Sequence, residues 1–401
     1  MEKLKVLMLG PGIPNPGNSG LGVAAYHIAA HLGKLVDITL IQPENDKLQV
    51  EEETHFSIED LTDTHLIKDV IQVKVKQKLN PYFHASADEV EEVYVHEDAT
   101  TESDILKAVE SYSAKVVAEG QELDFDIIYA HDWISFTAAQ RIKRATGKPL
   151  IVHIHTLEYD RSAGHTGSWI YHLERETLHL ADSIIAVSEY TAGVIESHYG
   201  IDKNIHVVHN GYQKLEKPTK VNKPFPEKLV IFVGRISSQK GPAMFIDIAE
   251  AVHQKMPETR FVMAGDGELL KELIESGAYR SVSGKFHFTG RISTNQISEL
   301  YAMADVFCMP SVSEPFGLSA IEAASFGVPV VVSKQSGAAE VLEGALTADY
   351  HDTAAFVDKV LLCLTDRKVV AKSTAANTDS LQFLDWQVSA QSILRVMRDT
   401  K

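Results

Sequence analysis

Cysteine is almost missing from this sequence. Cys308 and Cys363 are the only two in 401 residues, each set in an apolar stretch, which excludes a disulfide framework. CxxC and HExxH spacings are absent as well, so neither the cysteines nor the 18 histidines form a zinc-binding pattern along the chain. No apolar run reaches the length of a membrane-spanning helix, and the opening Met1-Glu2-Lys3-Leu4-Lys5-Val6-Leu7 reads as a first strand rather than a secretory leader. Basic residues are scarce: 38 Lys and Arg face 55 Asp and Glu, for a formal net charge of −17. Binding to a phosphate backbone or an anionic bilayer depends on clustered cations, so this balance argues against a nucleic-acid partner and against stable membrane association. No internal repeat or low-complexity tract occurs. These absences predict a cytoplasmic globular enzyme, and they leave its oligomeric state open.

What is present points to two α/β domains. A chain of 401 residues exceeds what one hydrophobic core organises, and 44% hydrophobic with 23% charged residues is an ordinary globular composition. Val6 to Leu9, Ile38 to Ile41, Ile127 to Ala130 and Leu150 to Ile154 are short apolar runs separated by stretches of helical period, the signature of a doubly wound parallel sheet. This pattern defines a first domain over residues 1–210. Residues 211–228 are rich in lysine and proline and read as a linker. The alternation restarts with Leu229 to Val233, Phe261 to Ala264, Phe286 to Phe288, Val306 to Met309 and Val328 to Val332, giving a second domain over residues 229–383. Trp386 to Met397 has helical spacing, and the terminal segment 384–401 is expected to pack back on the first domain. Glu51 to Lys68 is polar and reads as a mobile insertion.

Several loops carry chemistry. The first strand ends at Gly10-Pro11-Gly12, with Gly20 and Gly22 opening the next helical run; this reads as a phosphate-approach loop or as a plain strand-to-helix turn. A dinucleotide fingerprint fails here, because its third glycine falls at Asn15 and Pro11 and Pro14 interrupt it. In the second domain, Leu229 to Val233 runs into Gly234-Arg235-Ile236-Ser237-Ser238-Gln239-Lys240-Gly241, which places two cations at a strand's carboxyl end, where open α/β sheets bind ligands. Arg235 can fork onto phosphate oxygens while Lys240 adds a point charge; a solvated basic loop is the alternative. Further on, Ser313-Glu314-Pro315-Phe316-Gly317-Leu318-Ser319-Ala320-Ile321-Glu322 puts one carboxylate in a loop and a second within a helix whose start can face an anion.

These stretches, with Ala181-Asp182-Ser183-Ile184-Ile185-Ala186-Val187-Ser188 leading to Val207-Val208-His209-Asn210-Gly211, resemble glycosyltransferase family four over nearly the whole chain. The resemblance implies a GT-B fold, two Rossmann-like doubly wound domains facing each other across a cleft. By it, Arg235 and Lys240 hold the donor diphosphate, Glu314 contacts the transferred sugar, and Glu322 binds the donor ribose. Gly20, Gly22, Gly234, Phe316, Gly317, Leu318 and Ser319 line the donor, and main-chain atoms of Arg291 and Ile292 in Phe288-Thr289-Gly290-Arg291-Ile292 read the base. Ile151-Val152-His153-Ile154-His155-Thr156 resembles the family strand whose last histidine, His155, lies beside the sugar, although strand alternation also allows His153 and His155 as a buried structural pair. Tyr129-Ala130-His131-Asp132-Trp133 resembles a glycogen-synthase stretch, so His131, Asp132 and Trp133 are acceptor-side candidates, with a structural Trp133 as the alternative. Asn210 matches a donor-side asparagine, or caps the turn into Gly211.

The implied activity is retaining transfer of a hexose, with glucose from ADP or UDP as a first expectation, to a saccharide or glycan. No cofactor is expected. Asp124-Phe125-Asp126 has the DxD form that holds a metal in the other glycosyltransferase architecture, but it leads directly into a strand, and Arg235 and Lys240 supply the charge a metal would bring. No metal site is therefore expected. Asn18-Ser19-Gly20-Leu21-Gly22 departs from the lysine and double glycine of glycogen synthases, which leaves donor base and acceptor open. A sugar-nucleotide epimerase, a phosphorylase, or a non-catalytic sugar-nucleotide-binding protein of the same architecture are the alternatives.

Overall fold

The computed structural model describes residues 3–10, 20–43, 70–75, 102–120, 122–202, 204–277 and 280–401. The segment from Glu51 to Lys68 and most of the first glycine-bearing loop lie outside them. The chain divides into two compact units, Met1–Gly211 with Asp385–Lys401, and Tyr212–Leu384.

The first unit is built on a seven-stranded sheet of β1 (Lys5–Leu9), β2 (Asp37–Pro43), β3 (Val70–Val75), β4 (Ile127–His131), β5 (Leu150–Ile154), β6 (Ser183–Ala186) and β7 (Ile205–Val207), in the order β3-β2-β1-β4-β5-β6-β7. Every pairing is parallel, with Val6 opposite both Ile38 and Ile127, and Ala130 opposite Val152. Parallel strands covered by helices on both faces bury both side-chain rows, which is why β4 and β5 are buried along their whole lengths. Leu7, Leu9, Ile128, Val152 and Ile154 feed one core with helices Glu102–Gly120 and Asp132–Thr146. Val6, Met8, Ile127, Tyr129 and Ile151 feed the other, with helices Gly20–Leu32 and Trp386–Thr400.

The last helix therefore completes a core begun by the first strand. Trp386, Ala390, Ile393 and Met397 are its buried face. Each large side chain contributes about 1.5–3 kcal/mol by removal from water. Ser389 Oγ donates to the His209 carbonyl at 2.7 Å, and Lys401 pairs with Asp126 at 2.8 Å.

The second unit carries a six-stranded parallel sheet of β8 (Lys228–Val233), β9 (Thr259–Ala264), β10 (Phe286–Gly290), β11 (Val306–Met309), β12 (Val330–Ser333) and β13 (Leu346–Ala348), ordered β10-β9-β8-β11-β12-β13. Phe232, Phe245, Phe261, Phe307 and Phe356 are fully buried within it. Cys308 and Cys363 are buried free thiols, and burial pushes Cys363 up to about 12, so it is a packing residue rather than a nucleophile.

Each sheet reverses its strand order once, between β1 and β4 and between β8 and β11, and such switch points are where open α/β sheets bind ligands at their carboxyl ends. Of the lysine- and proline-rich stretch expected as a linker, residues 212–227 have no helix or strand and belong to the second unit, while Gly211 belongs to the first and Lys228 opens β8. Lys223 pairs with Asp305 at 2.7 Å, and Phe225 lies under Arg260 at 4.9 Å. Asp124 and Asp126 sit at the amino end of β4, away from the switch point; Asp124 pairs with Lys5 at 2.5 Å, and Asp126 accepts the Lys5 N–H at 3.0 Å.

Candidate active site

In the second unit, β8 delivers Gly234 and Arg235 beyond its carboxyl end, and a short turn at Ser238–Lys240 leads into helix Pro242–Lys255. Gly241 has φ 66°, and a Cβ there would stand 2.1 Å from the Pro310 carbonyl oxygen, so only glycine lets the two loops touch. The Gln239 carbonyl accepts from Val312 N at 2.9 Å and Ser313 N at 3.3 Å, tying the Lys240 loop to the loop after β11. Across this joint Lys240 Nζ meets Glu314 Oε2 at 2.5 Å, with both side chains largely buried. Glu314 is fixed from behind: its N–H donates to the Gln335 carbonyl and its own carbonyl accepts from Gly337 N, each at 2.8 Å. Arg235 reaches toward Glu268, with Nε 3.7 Å from the carboxylate.

Gly317, at φ 90°, turns the chain into helix Leu318–Ser325, and a Cβ there would meet Ala338 at 2.9 Å. Glu322 projects from that helix to Tyr301, whose hydroxyl donates to its carboxylate at 3.0 Å and also to the Ser319 carbonyl at 3.1 Å. Although Glu322 keeps some exposed surface, burial of its carboxyl end raises its pKa to about 7, and the Tyr301 hydrogen bond pulls in the other direction.

In the first unit, His131 ends β4 and His155 follows β5. His131 Nδ1 lies 3.0 Å from His155 Nε2, and the ring planes are only 15° apart with centroids 5.2 Å apart, so the two imidazoles are nearly coplanar and joined end to end. His153 stacks on His155 at 4.2 Å and 24°, and the Tyr129 hydroxyl meets His153 Nδ1 at 2.6 Å. Burial drives all three histidines well toward the neutral form, His155 to about 3. Nitrogens of the three rings lie within 4.8 Å of one another. His131 Nδ1 and His155 Nε2 are engaged with each other, and His153 Nδ1 with the Tyr129 hydroxyl.

The backbone around His155 is held just as closely. Asp132 Oδ1 accepts from His155 N at 2.7 Å and from Thr156 N at 3.4 Å. Asp132 itself adopts φ 52°, a strained conformation for a non-glycine residue, and burial raises its carboxyl to about 7. Arg161 Nη1 donates to the Thr156 carbonyl at 3.3 Å, and its other nitrogens meet Glu158 at 3.2 Å and Glu174 at 2.8 Å. Glu174 also accepts from the Tyr199 hydroxyl at 2.5 Å and from Glu158 N.

Comparison with known proteins follows this division. Residues 18–213 match Glycosyltransferase Family 4, and residues 213–378 match Glycosyl transferases group 1. The chain is a two-domain glycosyltransferase. It is 26% identical over 297 residues to an uncharacterized glycosyltransferase of Methanocaldococcus jannaschii, covering 68% of this chain and 75% of that one. It is 27% identical over 282 residues to a glycogen synthase of Mycobacterium tuberculosis, covering 68% of each. The Anabaena protein HepE in complex with UDP-glucose superposes with a TM-score of 0.71 at 19% identity, covering 99% of this chain and 100% of that one. The fold is GT-B, two Rossmann-like α/β domains.

Within the glycosyltransferase, the second unit brings Lys240 and Glu314 into contact; Gly234 and Arg235 follow β8, Phe316 and Gly317 follow Glu314 along the chain, and Tyr301 joins Glu322 to Ser319. Leu318 opens the helix that carries Ser319 and Glu322, while Arg291 and Ile292 follow β10, whose end at Gly290 has φ 64°. In the first unit Asn210 is buried beyond β7, and Gly20 and Gly22 lie in the first turn of helix Gly20–Leu32. Trp133 is a correction to the acceptor-side set: it is fully buried and packs edge-on against Trp169 at 5.6 Å, leaving no surface for a ligand. His131 and Asp132 are buried as well and act on His155 rather than on solvent. Sequence reasoning missed Tyr301 and the Arg161, Glu158, Glu174 and Tyr199 network; the charged run Glu158-Tyr159-Asp160-Arg161 directly after His155 was the one available signal.

Proposed function

We propose that this glycosyltransferase moves a hexosyl group, with glucose from UDP or ADP as the first candidate, from a nucleoside-diphosphate sugar to a saccharide or glycan with retention at the anomeric carbon. The Lys240–Glu314 pair carries the reading, because it places a cation and a fixed carboxylate together at the carboxyl end of β8, next to Arg235. A donor diphosphate competes for Lys240 and releases Glu314 to the hydroxyls of the sugar. As the bond from the anomeric carbon to the diphosphate oxygen breaks, negative charge collects on the leaving group, and Arg235 and Lys240 stabilise it most at that point. The acceptor oxygen bonds to the anomeric carbon on the same face, and its proton passes to the departing phosphate oxygen. Glu322 receives hydrogen bonds from the ribose, and His155 orients the sugar. The two cations supply the positive charge, so the reaction requires no divalent metal.

The HepE complex with UDP-glucose and the resemblance to glycogen synthase support this donor class. The test is a matrix of nucleotide sugars against glucan and small-sugar acceptors in chelator. Acceptor-dependent release of nucleoside diphosphate, with an anomeric configuration matching the donor by NMR, is expected. Donor conversion without any transfer marks an epimerase, binding without turnover marks a regulator, and an inverted product defeats the retaining mechanism.

A further inference from the structure

We infer that His131 is a positioning residue that fixes the tautomer of His155: His131 Nδ1–H donates to His155 Nε2, leaving His155 Nδ1–H as a hydrogen-bond donor for an oxygen of the bound substrate. This rests on the reading above only in taking His155 as a ligand-facing residue.

The 3.0 Å contact between nearly coplanar rings admits two proton placements. If His155 were the donor, His131 would carry its proton on Nε2, which is buried and has no partner among the described residues. That placement strands an N–H inside the first unit, and orphaned buried N–H groups are rarer and costlier than unpaired lone pairs. With His131 as donor, the stranded atom on His131 is a lone pair, and the unpartnered N–H moves to Nδ1 of His155. Both atoms are buried in the resting structure, but His155 keeps 8% of its surface exposed and His131 keeps none, so a ligand oxygen can approach the N–H on His155 and not one on His131.

The surroundings hold this arrangement in place. His153 stacks on His155 at 4.2 Å and blocks rotation of its ring, and Asp132 anchors the His155 N–H at 2.7 Å. Burial keeps both rings neutral, so His155 works as a fixed dipole and not as a proton source. His131 never touches the sugar. It decides which nitrogen of His155 does.

The experiment is long-range proton–nitrogen NMR on the full chain with labelled histidine, together with steady-state kinetics of wild type, His131→Leu and His131→Asn. In resting wild type, His155 should be protonated at Nδ1 and bare at Nε2. His131→Leu should lose this preference and lower kcat about 10- to 100-fold with KM within about threefold. Asn places an amide N–H near the former Nδ1, so His131→Asn should recover most of the loss and keep the wild-type tautomer. Wild-type His155 protonated at Nε2 overturns the inference, as does a folded His131→Leu with unchanged kcat. If His131→Leu does not fold, the spectrum of His131→Asn decides: Nδ1–H supports the assignment and Nε2–H sinks it. If no nucleotide sugar is turned over by wild type, the proposed function falls, while the resting spectrum still judges the tautomer.

Discussion

Donor affinity should rise with pH between 6 and 8, and Glu322 is the reason. Its carboxyl, pushed up to about 7 by burial, is mostly protonated at pH 6 and mostly ionised at pH 8. The ribose hydroxyls and the Tyr301 hydroxyl all donate, so the ionised form is the one that accepts from both. Donor binding therefore favours loss of the proton, and raising pH through the midpoint strengthens it. For a midpoint of 7, the fraction ionised changes from about one tenth to about nine tenths, an affinity gain of roughly tenfold, or about 1.4 kcal/mol. The assay is calorimetric titration of a nucleotide sugar without acceptor, in two buffers of different ionisation enthalpy; a sugar-linked diphosphate does not itself titrate in this window. Proton release near pH 6.5 should make the measured heat depend on buffer. Glu322→Gln should bind more weakly with a flat profile, and Tyr301→Phe should move the midpoint upward, because it removes the hydrogen bond that opposes burial. A wild-type affinity that is flat or falls from pH 6 to pH 8, without proton release, refutes the assignment.

Lys240→Ala should lower kcat by about 100-fold, near 3 kcal/mol of transition-state stabilisation, with a much smaller change in nucleotide affinity; near-normal turnover in rapid kinetics contradicts the role given to the cation. Arg161→Met should destabilise the first unit by about 3–5 kcal/mol, because Glu158 and Glu174 lose their buried cation; chemical denaturation measures it, and a change under 1 kcal/mol counts against the network. Trp133→Ala should cost about 3–5 kcal/mol as a cavity mutation, whereas a loss of acceptor affinity at unchanged stability would restore Trp133 to the acceptor side.

Much of the architecture was legible in the sequence because parallel strands covered on both faces must be apolar throughout. Ile127 to Ala130 and Leu150 to Ile154 announce β4 and β5 for that reason, and the restart at Leu229 announces the second sheet. The Lys240–Glu314 contact was legible only as two separate motifs, since it depends on the Gln239 carbonyl binding the loop after β11. Alternation correctly placed His153 and His155 on one face, yet the approach of His131 follows from the β4–β5 register, which sets it opposite His153 and within reach of His155 and which no local pattern encodes. Arg161 escaped notice, and Asp132 was read as an acceptor-side candidate rather than a backbone anchor, for a different reason. Charge predicts exposure, and these two are buried only because backbone N–H groups and carboxylates distant in sequence are waiting for them.

The terminal helix sets an order of events during synthesis. Residues 212–384 are translated between the body of the first unit and the helix that closes its core, which at ordinary ribosomal rates is a delay of roughly 10–30 s. Over that interval the surface built by Val6, Met8 and Ile28 awaits Trp386 and Ile393. Nascent chains stalled before Asp385 should therefore recruit chaperones that release once residues 385–401 have emerged, and the second unit, contiguous in the chain, should reach its native state first.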